Sequence, residues 1–210
     1  MTLKNKKILI TAGPTQVKID PVRAISNIAT GETGRLLAKL AKERGAKVTL
    51  LLAAPKERIK GIRLKSFRYF KQLRSLVKDE IKKNKFDCII HNAAVSDFLL
   101  EKESKKKLDS NKTKFSLKLI RAPKIINEIK KCASNSFLVM FKLEPNVSDT
   151  QLIKRARTAQ EKAAADIIVA NKFKNNRLKS FILNHQGMLA KSNSRLGLAR
   201  KLISILEEKI

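Results

Sequence analysis

The sequence contains few of the residues that build base-stacking surfaces, disulfide frameworks and metal sites. Its 210 residues include no Trp, one Tyr, two Cys and two His. Cys88 lies inside the apolar run 88–90, which indicates a buried strand thiol rather than a nucleophile or a metal ligand. His91 and His185 are too few to suggest a histidine-based metal site. Neither a secreted disulfide framework nor a zinc-type centre is therefore expected.

Long apolar runs are absent as well. No stretch approaches the roughly 20 apolar residues that span a bilayer, and residues 1–7 lack the apolar core of a signal peptide. We therefore expect a cytoplasmic protein without a membrane partner. A chain of this length can bury about 70% of its unfolded surface, which is enough for a single large domain over residues 1–210.

Acidic residues are scarce relative to basic ones. The chain has 18 Asp and Glu against 47 Lys and Arg, which gives a formal net charge of +29. This charge raises the hypothesis of a nucleic-acid-binding module, which would show salt-dependent affinity and no turnover. However, the lysines are spread along the chain, and there is no aromatic platform for base stacking. We expect no specific nucleic-acid partner, although the positive field would attract anionic substrates.

The apolar pattern that is present alternates between strand-like and helix-like segments. Strands are predicted at 7–11, 47–52, 87–91, 137–141, 166–170 and 179–184, and helices at 31–44, 69–84, 123–132, 149–164 and 193–209. This alternation predicts a three-layer, Rossmann-like α/β fold with a doubly wound, mainly parallel sheet that binds ligands at the carboxyl ends of its strands. Residues 112–120 alternate between apolar and polar and predict an antiparallel strand of a small projecting sheet.

One segment, residues 11–34, places turn residues, a fixed positive charge and a side-chain amide between a strand and a helix. Gly13 ends the first predicted strand, and Thr30 is positioned to cap the first helix. The long loop between them carries three polar residues: Asp20, Arg23 and Asn27. These features are typical of an anion-binding active site.

The motifs of this segment closely resemble the opening motif of the phosphopantothenate-cysteine ligases, or phosphopantothenoylcysteine synthetases. That family includes the C-terminal domain of the bifunctional DNA/pantothenate metabolism flavoprotein. The matching residues are 13–15, 20–23, 25–27, Gly31 and Gly34. Further family motifs follow in the same order, at 92–98, 107–110, 121–125, 141–144 and 166–171. The resemblance is nearly continuous from residue 8 to residue 171.

The resemblance implies a ligase of coenzyme A biosynthesis that joins 4'-phosphopantothenate to L-cysteine. A nucleoside triphosphate would activate the carboxylate as an acyl nucleotidylate and release pyrophosphate, with Mg²⁺ neutralising the triphosphate. CTP is the favoured co-substrate, and ATP is the alternative. The resemblance also implies a homodimer, to which an excursion at residues 102–120 contributes. Because the ligase motif begins near Met1, we expect the stand-alone form, without FMN.

The resemblance also assigns roles to individual residues. Asn27 and Arg23 would hold the acyl intermediate, and Lys107 would be the lysine of a mobile flap at residues 102–111. Lys105 and Lys106 leave the register of that lysine open. The implied nucleotide-binding residues are Gly13, Ala93, Asp97, Lys107, Pro123, Lys124, Ile125 and Phe141. The implied substrate-binding residues are Arg23, Asn27, Gly31 and Ala93, and no protein ligand for a metal is identified.

Two positions depart from the family pattern. Where fusion-type bacterial members carry lysines, this chain has Ala159 and Ala163, with Lys154 or Lys162 as possible substitutes, which leaves the choice between CTP and ATP open.

A ligase-like protein without activity is one alternative. An NAD(P)-dependent reductase on the same sheet is another. Against the reductase, no G-x-G-x-x-G follows the first strand, and no Tyr-x-x-x-Lys pair is present.

Overall fold

The computed structural model describes residues 2–55, 57–111, 113–174 and 177–210. The strands are β1 (Lys7–Ala12), β2 (Gln16–Lys18), β3 (Ala24–Ser26), β4 (Lys47–Ala53), β5 (Arg63–Phe67), β6 (Cys88–His91), β7 (Phe98–Leu100), β8 (Leu119–Arg121), β9 (Phe137–Leu143), β10 (Ile167–Lys174), β11 (Arg177–Leu183) and β12 (Met188–Ser192). The helices are α1 (Glu32–Glu43), α2 (Phe70–Lys83), α3 (Ile125–Cys132), α4 (Asp149–Ala163) and α5 (Arg195–Lys209). Within the described residues, no helix is both long and apolar enough to cross a membrane.

Eight of these strands form one sheet in the order β5-β4-β1-β6-β9-β10-β11-β12. The first six strands in this order are parallel, and β11 and β12 extend the sheet antiparallel at one edge. From β1 the chain moves outward to β4 and β5, then returns to the other side of β1 at β6. This reversal confirms the predicted doubly wound fold, and it creates a crevice at the carboxyl ends of β1 and β6.

Helices cover both faces of the sheet, as the three-layer prediction requires. On one face, α1 and α5 pack together over the buried side chains of β1 and β4. On the other face, α2 and α3 cover Leu9, Ile89 and Leu138, and α4 covers β10 and β11. The central parallel strands β1, β4 and β6 are buried on both sides, which explains their continuous apolar runs.

Two helix starts show how side chains and glycine cap the helices. At α4, Ser148 accepts a hydrogen bond from the Gln151 backbone (3.1 Å), and the Gln151 side chain accepts one in return from Ser148 N–H (3.2 Å). At α1, Gly31 rather than Thr30 is the cap residue, so that part of the prediction was wrong. Gly31 adopts φ 76°, and Thr30 instead accepts a hydrogen bond from Glu32 N–H at 3.3 Å.

The predicted projecting strand at 112–120 was wrong in extent. Lys112 lies outside the described residues, and within 113–120 only Leu119 and Ile120 belong to a strand, β8, which pairs antiparallel with β7. Five short strands, β2, β3, β5, β7 and β12, were not predicted. The edge strand β5 buries only Phe67, and β12 buries only Ser192, so neither carries the apolar run that signals a central strand.

Candidate active site

The loops that follow β1 and β6 meet at the crevice where the strand order reverses. Beyond the strand ends, Pro14 and Ala94 form an isolated parallel bridge. Thr15 N–H donates to Ala94 O at 3.1 Å, and Ala94 N–H donates to Gly13 O at 3.0 Å. The two loops therefore extend the pairing of the strands, and they bring the predicted residues Gly13 and Ala93 to one place.

Two glycines allow the backbone of the first loop to fold tightly at this point. Gly13 has φ 85°, and a Cβ on it would lie 2.7 Å from the Cβ of Ala53. Gly31 has φ 76°, and a Cβ on it would lie 3.1 Å from the Gly13 nitrogen. The N-terminus of α1 thus sits directly against the end of β1, where backbone N–H groups and the helix dipole favour an anion.

Asn27 connects the two loops through its side chain. Its Nδ2 donates to Ala94 O at 3.1 Å, and the residue is exposed at the mouth of the crevice. Within the described part of the chain, its Oδ1 accepts no hydrogen bond. The amide is therefore oriented by the protein and retains an acceptor for a ligand.

Arg23 and Asp20 lie on the β2–β3 hairpin and contact the flap. Asp20 is 1% exposed and accepts from the backbone N–H groups of Val22 (2.8 Å), Arg23 (2.8 Å) and Leu108 (3.1 Å). Burial opposes ionisation of this carboxyl, but the three N–H donors and the Arg23 charge outweigh it and hold the pKa of Asp20 below its usual range. Arg23 Nη2 donates to Leu108 O at 2.8 Å, while its Nε lies 3.5 Å from Asp20.

The flap therefore lies against the hairpin. A second contact joins Ser104 N–H to Ile19 O at 2.9 Å. Lys107 directly precedes Leu108, which is the anchored residue, but Lys105, Lys106 and Lys107 are all exposed. The assignment of Lys107 as the flap lysine stays a prediction.

Asp97 and Lys124 form an ion pair at the side of the crevice. Their side chains are 66% and 49% exposed, so both can reach a ligand. Pro123 is exposed beside them, whereas Ile125 is buried in the core at the start of α3. Any contact of Ile125 with a nucleotide would therefore come from its backbone.

Phe141 lies inside β9, paired with Val169, and not at the end of the strand. Its side chain is partly buried and packs against the hydrophobic cluster formed by β1, α1 and α5. Its predicted contact with the nucleobase stays a prediction. Ala163 is buried at the end of α4 that leads into β10, which is the amino-terminal end of the strands, whereas Gly13 lies at their carboxyl-terminal end. Ala159 is partly buried on the same helix.

Four residues that the sequence did not assign to the site hold its two loops in place. Thr11 Oγ1 contacts His91 Nδ1 at 2.9 Å and accepts from Ala93 N–H at 3.2 Å. Ser96 N–H donates to Thr15 Oγ1 at 2.8 Å. Burial lowers the pKa of His91 to about 4, so its ring is neutral at pH 7. His91 thus supports the turn before Ala93.

The site is rich in positive charge and hydrogen-bond donors. Burial raises the pKa of the Cys88 thiol, which lies within the sheet and is not a nucleophile. Within the described ranges, no group of three or more His, Cys, Asp or Glu side chains is arranged to hold a metal ion. The arrangement is suited to positioning anionic substrates and neutralising their charge.

A family described as the DNA/pantothenate metabolism flavoprotein C-terminal domain matches residues 3–207 of this chain. The chain belongs to this family. The match confirms the family predicted from the motifs, and it extends over nearly the whole of the chain.

Two curated relatives of this family member are each described as the coenzyme A biosynthesis bifunctional protein CoaBC. The Thermococcus kodakarensis protein is 35% identical over 176 residues, which are 82% of this chain and 43% of the relative. The Borreliella burgdorferi protein is 35% identical over 193 residues, which are 89% of this chain and 48% of the relative. The chain thus spans less than half the length of these relatives.

The fold of this chain is also similar to the folds of solved structures. The DNA/pantothenate metabolism flavoprotein from Streptococcus pneumoniae has a TM-score of 0.87 at 22% identity, covering 98% of this chain and 100% of that one. A Cab2 variant in complex with phosphopantothenate-cysteine has a TM-score of 0.76 at 17% identity, covering 99% and 90%. At such low identities, these similarities establish the fold alone.

Proposed function

We propose that this chain catalyses the formation of an amide bond between 4'-phosphopantothenate and L-cysteine. The observation that carries the proposal is the hydrogen bond from Asn27 to Ala94 O at the crevice of a family member, with Arg23 on the hairpin that follows the first loop. The CoaBC relatives and the phosphopantothenate-cysteine complex of Cab2 support the same chemistry.

The proposed reaction has two steps. A carboxylate oxygen of 4'-phosphopantothenate attacks the α-phosphorus of the nucleotide, and pyrophosphate leaves. The amine of cysteine then attacks the acyl carbon, and the nucleoside monophosphate leaves with the oxygen that bridged carbon and phosphorus. Both steps depend on alignment and charge neutralisation more than on a protein nucleophile, which agrees with the neutral His91 and the protonated Cys88.

Each polar group of the crevice has a proposed task. The Asn27 amide, held by Ala94 O, binds the acyl intermediate, and the Arg23 guanidinium neutralises a phosphate group of that intermediate. The backbone at Gly13 and Gly31 gives phosphate groups close access to the start of α1. Lys107 neutralises nucleotide phosphates from the flap, and Mg²⁺ enters as part of the nucleotide substrate.

Nucleotide selection is assigned to the Asp97–Lys124 pair. The Asp97 carboxylate accepts a hydrogen bond from the exocyclic amine of the base, a group that CTP and ATP share, and Lys124 orients that carboxylate. CTP remains the favoured co-substrate, and ATP is the alternative. A nucleotide that presents a carbonyl oxygen at this position would be disfavoured.

The proposed assembly is a cytoplasmic homodimer. Its contact surface includes the small β7–β8 sheet, where Phe98 is 55% exposed and Leu119 and Ile120 are each 45% exposed. An exposed apolar cluster of this kind is typical of a protein–protein interface.

The proposal is tested by pyrophosphate release. The purified chain would be incubated with Mg²⁺, 4'-phosphopantothenate and either CTP or ATP, with and without L-cysteine. Asn27→Ala is expected to lower turnover about a hundredfold, because it removes the Oδ1 acceptor and the second N–H of Nδ2 that the amide offers to the intermediate. Asn135→Ala is the matched control, because Asn135 is an exposed amide just before β9, at the amino-terminal end of the strands and so away from the crevice. No pyrophosphate with either nucleotide would overturn the proposal in favour of an inactive, ligase-like protein.

A further inference from the structure

Leu108, in the flap, is held through both its backbone N–H and its backbone C=O by one ion pair, Asp20–Arg23. Leu108 N–H donates to Asp20 Oδ2 at 3.1 Å, and Leu108 O accepts from Arg23 Nη2 at 2.8 Å. These contacts join segments that are 88 and 85 residues apart in sequence. Two side chains of the β2–β3 hairpin therefore hold the flap at Leu108, and the Ser104–Ile19 backbone hydrogen bond holds it at a second point.

The Asp20 carboxylate divides its two oxygens between two tasks. Oδ1 accepts from Val22 N–H and Arg23 N–H, and so shapes the turn of the hairpin. Oδ2 accepts from the flap and faces the Arg23 guanidinium. Because the side chain is 1% exposed, water cannot readily replace a lost partner. An ionised carboxylate provides both acceptors, whereas an amide provides only one.

The same contacts determine which part of Arg23 remains for a ligand. Nε faces Asp20 and Nη2 holds the flap, while Nη1 has no hydrogen-bond partner among the described residues. An anion bound at Nη1 would lie beside Leu108, the residue that directly follows Lys107. Docking of the flap and binding of an anion by Arg23 therefore use one guanidinium.

We propose that Asp20 is a positioning residue that latches the flap onto the β2–β3 hairpin, so that Arg23 and the flap lysines act on the same anionic substrate. The latch is a property of the fold. Its role in catalysis rests on the ligase function proposed above.

The test compares Asp20→Asn with the control Asp109→Asn. Asparagine has the size of aspartate and retains one acceptor oxygen for the turn, but it places an NH₂ group where the second oxygen was. Asp109 lies in the flap, and its carboxylate accepts from the nearby Asn111 N–H at 2.9 Å. Leu108→Pro is a second latch variant, because it removes the flap N–H and leaves the buried carboxylate unchanged.

The first readout is amide hydrogen exchange of the flap, which needs no turnover. Asp20→Asn is expected to speed exchange of the Leu108 amide roughly ten- to a hundredfold, as loss of a hydrogen bond to a charged group implies, while amides of β1 and β4 keep their protection. Leu108→Pro should speed exchange of the Ser104 amide, and Asp109→Asn should leave both segments unchanged. Unchanged exchange in both latch variants would overturn the latch.

The second readout is KM for the nucleotide and KM for cysteine, each measured together with kcat. Loss of the latch should raise KM for the nucleotide about tenfold while KM for cysteine is retained, because the flap lysines are displaced from the nucleotide alone. A purely structural role would instead lower the active fraction and leave both KM values unchanged, and this result would overturn the positioning role. A wild-type protein without turnover would overturn the ligase proposal and the positioning role with it, whereas the exchange data would still decide the latch.

Discussion

Acidification should destabilise this protein through His91. The ring is 8% exposed at the end of β6, and burial lowers its pKa from 6.5 to about 4. The unfolded chain therefore binds a proton at this residue below about pH 6.5, whereas the folded chain does not until about pH 4. Between these values the unfolded state binds more protons, so the free energy of unfolding falls as pH is lowered.

The magnitude follows from the two pKa values. One pKa unit corresponds to about 1.36 kcal/mol, so the full effect is about 3 kcal/mol, of which about 2 kcal/mol is lost between pH 7 and pH 5. Urea denaturation at both pH values would measure the loss in the wild type and in His91→Asn. Asparagine retains an acceptor for Thr11 near the position of Nδ1, and it cannot titrate in this range.

The expected result is a pH-dependent loss about 2 kcal/mol smaller in His91→Asn than in the wild type. His185→Asn is the control, because it removes the second histidine at an exposed position between β11 and β12. It should retain the wild-type loss. Equal losses in wild type and His91→Asn, within about 0.5 kcal/mol, would refute the reasoning.

Two further substitutions, each with a control, test the packing of α1 at the crevice and the ion pair between α2 and β5. Gly34→Ala places a Cβ 2.3 Å from the Cβ of Ala12 and should cost about 1–3 kcal/mol in thermal unfolding, whereas Gly187→Ala, with nothing within 4 Å, should be nearly neutral. Glu80→Gln removes the charge of a buried side chain that pairs with Arg63 at 3.0 Å, and it should lower the free energy of unfolding in urea by about 1–3 kcal/mol. Glu103→Gln removes the charge of an exposed side chain and should lower it by less than about 1 kcal/mol. Equal costs within either pair would contradict the packing described here.

The central sheet was predictable because burial on both faces leaves continuous apolar runs in the sequence. Residues 8–10 and 88–90 belong to β1 and β6, which pair in register through Ile8 and Cys88. The edge strands β5 and β12 bury one residue each, so their sequences carry no comparable signal. Hydrophobic periodicity records burial, and it fails where a strand is largely exposed.

The polar contacts of the site were predictable only in part. The family resemblance directed attention to Arg23 and Asn27; Asn27 lies at the mouth of the crevice, whereas Arg23 lies on the β2–β3 hairpin and contacts the flap. The latch at Asp20 was not recognised, because an aspartate before a proline is already explained by a turn, and its second partner lies 88 residues away. Contacts of this kind are a property of tertiary structure and leave no local pattern.

The same limit applies to side chains whose direction is set by packing. The motif that contains Ile125 suggested a nucleotide contact, but α3 begins at this residue and turns its side chain into the core. The nucleotide contact of this segment stays a prediction, and the motif leaves the contacting atom open.

The central claim is tested most directly by the path of one oxygen atom. 4'-Phosphopantothenate labelled with ¹⁸O in its carboxylate would be incubated with the chain, Mg²⁺, CTP or ATP and L-cysteine, and the products analysed by mass spectrometry. An acyl-nucleotidylate route is expected to transfer one ¹⁸O atom to the nucleoside monophosphate as 4'-phosphopantothenoyl-L-cysteine forms. Label in inorganic phosphate together with a nucleoside diphosphate, or no amide product with either nucleotide, would contradict the account.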